Sequence, residues 1–391
     1  METFELTIDE LRARQGTKWT RYPAHILPVW VADMDFRAPE PVQAAILRLV
    51  ERSDYGYGPL GARDSLAAVF ADRMQERYGW AADPQLVLPI SELIQAMYAT
   101  LIAYSAPGEG AVLQTPIYPP FLMAIEQTGR RLVDNPLRDD GTRYALDIDG
   151  LRRVVDAGTR LLFLCNPHNP TGRVFERAEL LALGELAVER DLVIVADEIH
   201  QDLVYPGHRH IPIASLGPEI AARTITLTSA TKGFNIAGLR CALMHFGSPA
   251  LKERFHRVFP ERLLGAVNTI GLEATIAAWR HGQPWLEAVL RRLHANRDRV
   301  TAFLAAELPE ITYYPPEGTY LAWLDCRRLA LPGSPYEFFL DQAGVAFGDG
   351  AAFGEHGRGC VRLNFATAPD ILDQVLTRTA EAVKRARLSR V

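Results

Sequence analysis

Short runs of apolar residues take turns along this chain with longer stretches in which apolar positions return every third or fourth residue. A helix presents the same face about every 3.6 residues, so the longer stretches predict helices over 41–52, 62–78, 92–104, 118–128, 178–189 and 283–308. The short runs predict strands over 111–114, 161–165, 192–196, 225–228 and 241–246. Pro and Gly are dispersed between them as turn punctuation, without repeats or low-complexity linkers. Strands alternating with helices predict an α/β fold whose large domain, about 41–285, is a mostly parallel sheet covered by helices. After the long helical stretch, strand-like segments at 312–314, 320–324, 345–347 and 360–365 predict a smaller α+β domain over 286–391.

Composition narrows the class. With 391 residues, 48% hydrophobic and 23% charged, the chain has ample material for a large core and is no disordered or collagen-like polymer. The net charge of −5 comes from mixed-sign sequence with no polybasic run, which argues against nucleic acid as a partner. No apolar run approaches the roughly 20 residues of a membrane helix, and the acidic start Met1-Glu-Thr-Phe-Glu does not read as an export signal. A cytoplasmic location is expected. Cys165, Cys241, Cys326 and Cys360 are far apart, which predicts buried thiols rather than disulfides or a zinc site. His208-Arg-His210, flanked by Gly and Pro, is read as loop chemistry without carboxylate partners, and no metal is expected.

The chemistry lies where strands end. Strand 161–165 runs into Asn166-Pro-His-Asn169-Pro-Thr-Gly172, strand 192–196 into Asp197-Glu-Ile-His200, and strand 225–228 into Ser229-Ala-Thr-Lys232-Gly. In an open α/β sheet the carboxyl ends of strands line one crevice, so Asn169, Asp197 and Lys232 are expected to converge. A lysine amine forms a Schiff base with an aldehyde, and partial desolvation keeps it nucleophilic. An aspartate beside a pyridine nitrogen keeps that nitrogen protonated, and an asparagine amide can donate to a phenolic oxygen. Taken singly, each has an ordinary alternative: Lys232 as a surface lysine, Asp197 as a helix N-cap and Asn169 as a turn residue. As an ordered set, with Arg240 eight residues after the lysine, they fit pyridoxal 5′-phosphate.

Asn-Pro-Thr-Gly, then Asp-x-x-His, then Ser-x-x-Lys with its following Arg resembles the fold-type I aminotransferases over nearly the whole chain. Further blocks are similar to the cystathionine β-lyase, or carbon–sulfur lyase, branch related to MalY and PatB. They are Lys18-Trp-Thr-Arg-Tyr-Pro23, Trp30-Val-Ala-Asp-Met-Asp-Phe36, Pro116-Ile-Tyr-Pro-Pro-Phe121, Asn166 to Phe175, Asp197 to Leu203 and Arg362-Leu-Asn-Phe-Ala366. The resemblance implies an aspartate-aminotransferase-like fold in which an N-terminal arm, 1–40, joins the small domain. It places Ser229, Arg240 and the backbone N–H of Leu93 on the cofactor phosphate, Tyr118 on the ring, and His200 beside the cofactor or its aspartate. Ala32, Asn169 and Arg362 become substrate contacts, with Arg362 clamping the α-carboxylate. Gly56-Tyr-Gly-Pro-Leu-Gly61 matches G-x-G-x-x-G, but no strand precedes it and Pro59 interrupts it, so a dinucleotide site is rejected. Its Tyr57 instead resembles the tyrosine that reaches the neighbouring subunit's phosphate, which implies a homodimer with shared sites.

Two positions depart from the pattern. Glu92 stands where relatives usually carry a glycine before the phosphate-binding helix, and Gly233 follows the lysine in place of Thr or Ser. The implied reaction is α,β-elimination from a cysteine thioether to a thiol, ammonia and pyruvate, with Lys232 as the base. An aminotransferase uses the same residues. A rerouted biosynthetic reaction, by decarboxylation or oxidative deamination, and a non-catalytic sensor are the further alternatives.

Overall fold

A computed structural model describes residues 4–57, 61–260 and 263–388. Its centre is a seven-stranded sheet of β1 (Val87–Ile90), β2 (Gly110–Leu113), β3 (Arg131–Asp134), β4 (Thr159–Cys165), β5 (Val193–Asp197), β6 (Thr224–Thr228) and β7 (Ala242–Phe246). The strand order is β1-β7-β6-β5-β4-β2-β3, and only β7 runs against its neighbours. The expected mostly parallel sheet is therefore present, with one reversed strand that hydrophobicity alone does not disclose.

The central strands are buried and mostly apolar because both faces are covered, although β6 alternates Thr224, Thr226 and Thr228 with Ile225 and Leu227. Successive residues of β4 point to opposite sides. Leu161, Phe163 and Cys165 pack with Ala96 and Met97 of α3 (Leu93–Tyr104) and Phe255 of α6 (Pro249–Val258). Leu162 and Leu164 pack with Leu180, Leu183 and Leu186 of α5 (Arg177–Glu189). The remaining long helices are α1 (Glu40–Arg52), α2 (Ala62–Tyr78), α4 (Pro119–Gln127), α7 (Thr269–His281), α8 (Gln283–Glu307) and α9 (Pro369–Leu388). A third and largest cluster joins α2, α7 and α8 to α9 and to a three-stranded antiparallel sheet. That sheet has the order β8 (Leu321–Asp325), β10 (Cys360–Asn364), β9 (Gly348–Asp349).

Two expectations, and the ordinary alternative weighed for Asp197, need correction. Segment 312–314 forms no strand, only an isolated bridge between Thr312 and Asp325. Asp197 caps no helix: it is the last residue of β5, and a turn follows. The histidines at 208 and 210 do have carboxylate partners. His210 Nε2 is 3.2 Å from Glu198 in a fully buried pair, and His208 Nδ1 is 3.8 Å from Glu317. The four cysteines are free and buried. Gly58, Pro59 and Leu60 of the glycine-rich segment lie outside the described residues.

Candidate active site

Because six strands of the sheet share one direction, their carboxyl ends emerge at one edge, and the reversed β7 brings its amino end there as well. A cavity of about 500 Å³ opens along that edge. Ala32, Leu93, Tyr118, Asn169, Asp197, His200, Ser229, Lys232, Arg240 and Arg362 all line it. Tyr57 does not. It is fully exposed on the surface of the single chain.

Lys232 follows β6 by four residues, and its Nζ donates a 2.7 Å hydrogen bond to the Ala32 carbonyl. Burial lowers its pKa from 10.5 to about 8, Arg362 adding to the fall while Asp33 and Asp197 oppose it. Near neutrality a minor fraction of the amine is thus uncharged, far larger than for a free lysine, and that fraction is the nucleophile. Asp197 moves the opposite way. Its carboxyl is 5% exposed and accepts only the Ile199 N–H, at 3.1 Å, and burial raises its pKa to about 7. Among the described residues it has no ion-pair partner, so the site holds a buried acid fitted to a cation that enters from the cavity.

His200 borders the acid. Burial, with Lys232 and Arg362 nearby, depresses it to about 3 and keeps the ring neutral. The ring packs edge-on against Tyr320 at 5.9 Å, and its Nδ1 is buried without a hydrogen bond. Ser229 Oγ donates to the Cys241 carbonyl at 2.6 Å and accepts the Thr231 N–H at 3.1 Å, which pins the turn leading to Lys232. Tyr118 precedes α4, and burial raises its phenol pKa.

Arg362 sits mid-strand on β10, 4% exposed, a placement that calls for partners. Its guanidinium donates to Asn169 Oδ1 at 2.9 Å and to the Trp30 carbonyl at 2.8 Å, and lies 4.9 Å from the Phe353 ring centroid. Its Nε remains buried and unpaired. Burial lowers its pKa to about 10, so it is still a cation at neutral pH.

Trp30, Val31 and Ala32 line the cavity, and the segment they open, Trp30–Phe36, is held from several sides. Asn364 Nδ2 donates to the carbonyls of Val31 and Asp33 at 2.8 and 2.7 Å, and Asn235 bridges Met34 and Phe36. Lys18 Nζ binds Asp35 at 2.8 Å and Trp19 Nε1 binds the same carboxylate at 2.7 Å. Tyr320 OH donates to the Ala32 carbonyl at 3.0 Å, alongside Lys232. Asn364 and Tyr320 were not singled out from sequence. Asn364 lies inside the Arg-Leu-Asn-Phe-Ala block, where a buried amide in a strand was the available signal.

These groups suit pyridoxal 5′-phosphate. A partly neutral amine, an unpaired buried carboxyl and a buried arginine face one cavity, and the first turn of α3 presents N–H groups without intrahelical acceptors. Among the described residues no group of three or more His, Cys, Asp or Glu is arranged to hold a metal ion.

The comparisons with known proteins agree. The family model described as aminotransferase class I and II matches residues 31–378. Cystathionine β-lyase PatB of Bacillus subtilis is 33% identical over 382 residues, covering 96% of this chain and 98% of that protein. Among solved structures, that of OvoB is 38% identical with a TM-score of 0.90, covering 95% of this chain and 97% of that one. The pyridoxal-phosphate-bound C–S lyase of Staphylococcus hominis is 29% identical with a TM-score of 0.89, covering 97% and 99%. Fold and relatives together define a fold-type I enzyme dependent on pyridoxal 5′-phosphate. The chain belongs to the aminotransferase class I and II family, in its carbon–sulfur lyase branch.

Proposed function

We propose that the chain cleaves the Cβ–S bond of a cysteine thioether by α,β-elimination, giving a thiol, ammonia and pyruvate with consumption of water. The meeting of Lys232, Asp197, Asn169 and Arg362 on one cavity, each delivered by a different strand, supports the cofactor chemistry, and the full-length likeness to a cystathionine β-lyase favours elimination over transamination. When bound, pyridoxal 5′-phosphate supplies an aldehyde for amines and a ring that accepts the electron pair left at the substrate Cα.

The protein's own groups do the rest. Lys232 Nζ would hold the aldehyde and, once released by substrate, would take the proton from the substrate Cα, a role favoured by its pKa near 8. Asp197 would keep the pyridine nitrogen protonated, and the Asn169 amide would donate to the phenolic oxygen. Arg362 grips the α-carboxylate with guanidinium hydrogens beyond those given to Asn169 and Trp30, fixing the direction of the Cα–H bond. Arg240 and the Leu93 N–H would receive the phosphate, joined by Ser229 if its hydroxyl turned from the Cys241 carbonyl, while Tyr118 would cover the ring, His200 flank Asp197 and Ala32 border the substrate.

A homodimer with shared sites fits the outward-facing Tyr57. It lies near other exposed apolar side chains, Leu47, Val50 and Tyr55, on α1 and the segment after it. No helix among the described residues is long and apolar enough to cross a membrane, and a cytoplasmic location belongs to the same reading. Incubation with cystathionine or another S-substituted cysteine, with no keto acid added, is the test. Pyruvate and thiol formed catalytically support elimination, whereas turnover only with an added amino acceptor makes the protein an aminotransferase.

A further inference from the structure

Glu92 is the residue immediately before α3, and its carboxylate lines the cavity at the end where the first-turn N–H groups of that helix are exposed. Its backbone is extended, with φ −159° and ψ 157°, and the side chain makes no capping bond to the helix. The carboxylate instead forms an ion pair with the guanidinium of Arg240, which lines the same cavity just ahead of β7. Arg240 is held in the left-handed region, φ +51°, after a short 3₁₀ turn, which directs this cation to the cavity's rim. An acidic side chain therefore occupies the arginine that an entering dianion would use, and stands beside the positive end of a twelve-residue helix whose first N–H groups it leaves uncapped.

We propose that Glu92 is a built-in rival of the cofactor phosphate, so that the cofactor is seated only by displacing this carboxylate from Arg240. The inference rests on the reading of this cavity as the pyridoxal 5′-phosphate site and of Arg240 as a phosphate ligand. A phosphate monoester carries nearly two negative charges at neutral pH, so a carboxylate that stays close repels it, and one that moves away forfeits its ion pair. Either course weakens binding of the phosphorylated cofactor. Neither bears on pyridoxal, which has the same aldehyde and ring but no phosphate.

The test measures affinity. Cofactor-free wild type, Glu92→Gln and Glu92→Gly are titrated with pyridoxal 5′-phosphate and with pyridoxal, following absorbance and tryptophan quenching. Both variants are expected to bind the phosphorylated form roughly three- to tenfold more tightly, with pyridoxal affinity unchanged. In an Arg240→Gln background the benefit of Glu92→Gln should shrink, because no pair remains to be broken. Equal affinity of wild type and both variants for the phosphorylated form, or equal tightening for both ligands, overturns the inference while leaving the proposed function standing. Failure of wild type and variants alike to take either ligand onto Lys232, judged by the absence of a borohydride-fixed mass on that peptide, overturns the functional reading itself.

Discussion

The reactive amine can be interrogated without any turnover by replacing Lys232 with methionine, which keeps most of the side-chain volume and removes the charge. Lowering the amine from 10.5 to about 8 corresponds to about 3 kcal/mol of penalty for holding an ammonium in this cavity. That figure is an upper bound, because the side chain is only partly shut off from the open cavity. The variant also gives up the bond to the Ala32 carbonyl, which costs about 1 kcal/mol. At pH 7 the cofactor-free Lys232→Met protein should therefore be more stable than wild type by about 1–2 kcal/mol. The difference must depend on pH in one direction. Below pH 8 the amine is protonated in both folded and unfolded chains, and the penalty is complete. Between pH 8 and 10.5 the folded protein has released the proton that the unfolded chain still binds, so wild type gains on the variant as pH rises. Near pH 10 the two should be within about 1 kcal/mol of each other. Urea unfolding of the two cofactor-free proteins at pH 7 and pH 10 measures this directly. A variant less stable than wild type at pH 7, or an offset independent of pH, would refute the description of Lys232 as a buried amine depressed by its surroundings.

Other side chains give sharper functional readouts. Arg362→Lys keeps the charge but loses the forked donor, and should raise KM and lower kcat/KM for a cysteine thioether about 10²-fold, while cofactor absorbance is retained. Asn364→Ala removes two amide hydrogen bonds to the Trp30–Phe36 segment and should destabilise the protein by about 2–3 kcal/mol by urea unfolding. Gly172→Ala should be more damaging than its size suggests. At φ +71° an added Cβ would lie 2.3 Å from Pro316 Cβ, and a loss of soluble expression or of more than about 2 kcal/mol is expected.

Much of the sheet was legible because its central strands are buried and mostly apolar. Segments 161–165 and 225–228 lie wholly within β4 and β6. Edge strand β3 was missed for the reason that makes it an edge: Arg131 and Leu132 are exposed, so the pattern is not apolar. β1 was missed because Pro89 interrupts it, as a strand outside the middle of a sheet allows. The helical periodicity of α9 is strong, and its buried face of Ile371, Leu372, Val375, Leu376 and Val383 could have been read from the sequence. Strand ends told where Asn169, Asp197 and Lys232 would meet. The Ala32 carbonyl was invisible as the amine's acceptor, since a backbone oxygen has no sequence signature. Its position depends on Tyr320 and Asn364, hundreds of residues away.

The segment that brings Trp30, Val31 and Ala32 to the cavity also orders events during synthesis. Residues 30–36 leave the ribosome early, yet their carbonyls wait for the amide at 364, 333 positions after Val31. The lysine at 232 emerges in between, without the partner geometry described for it. A nascent or C-terminally clipped polypeptide thus lacks a finished pocket, and a reactive aldehyde finds its proper place only after nearly the entire message has been read.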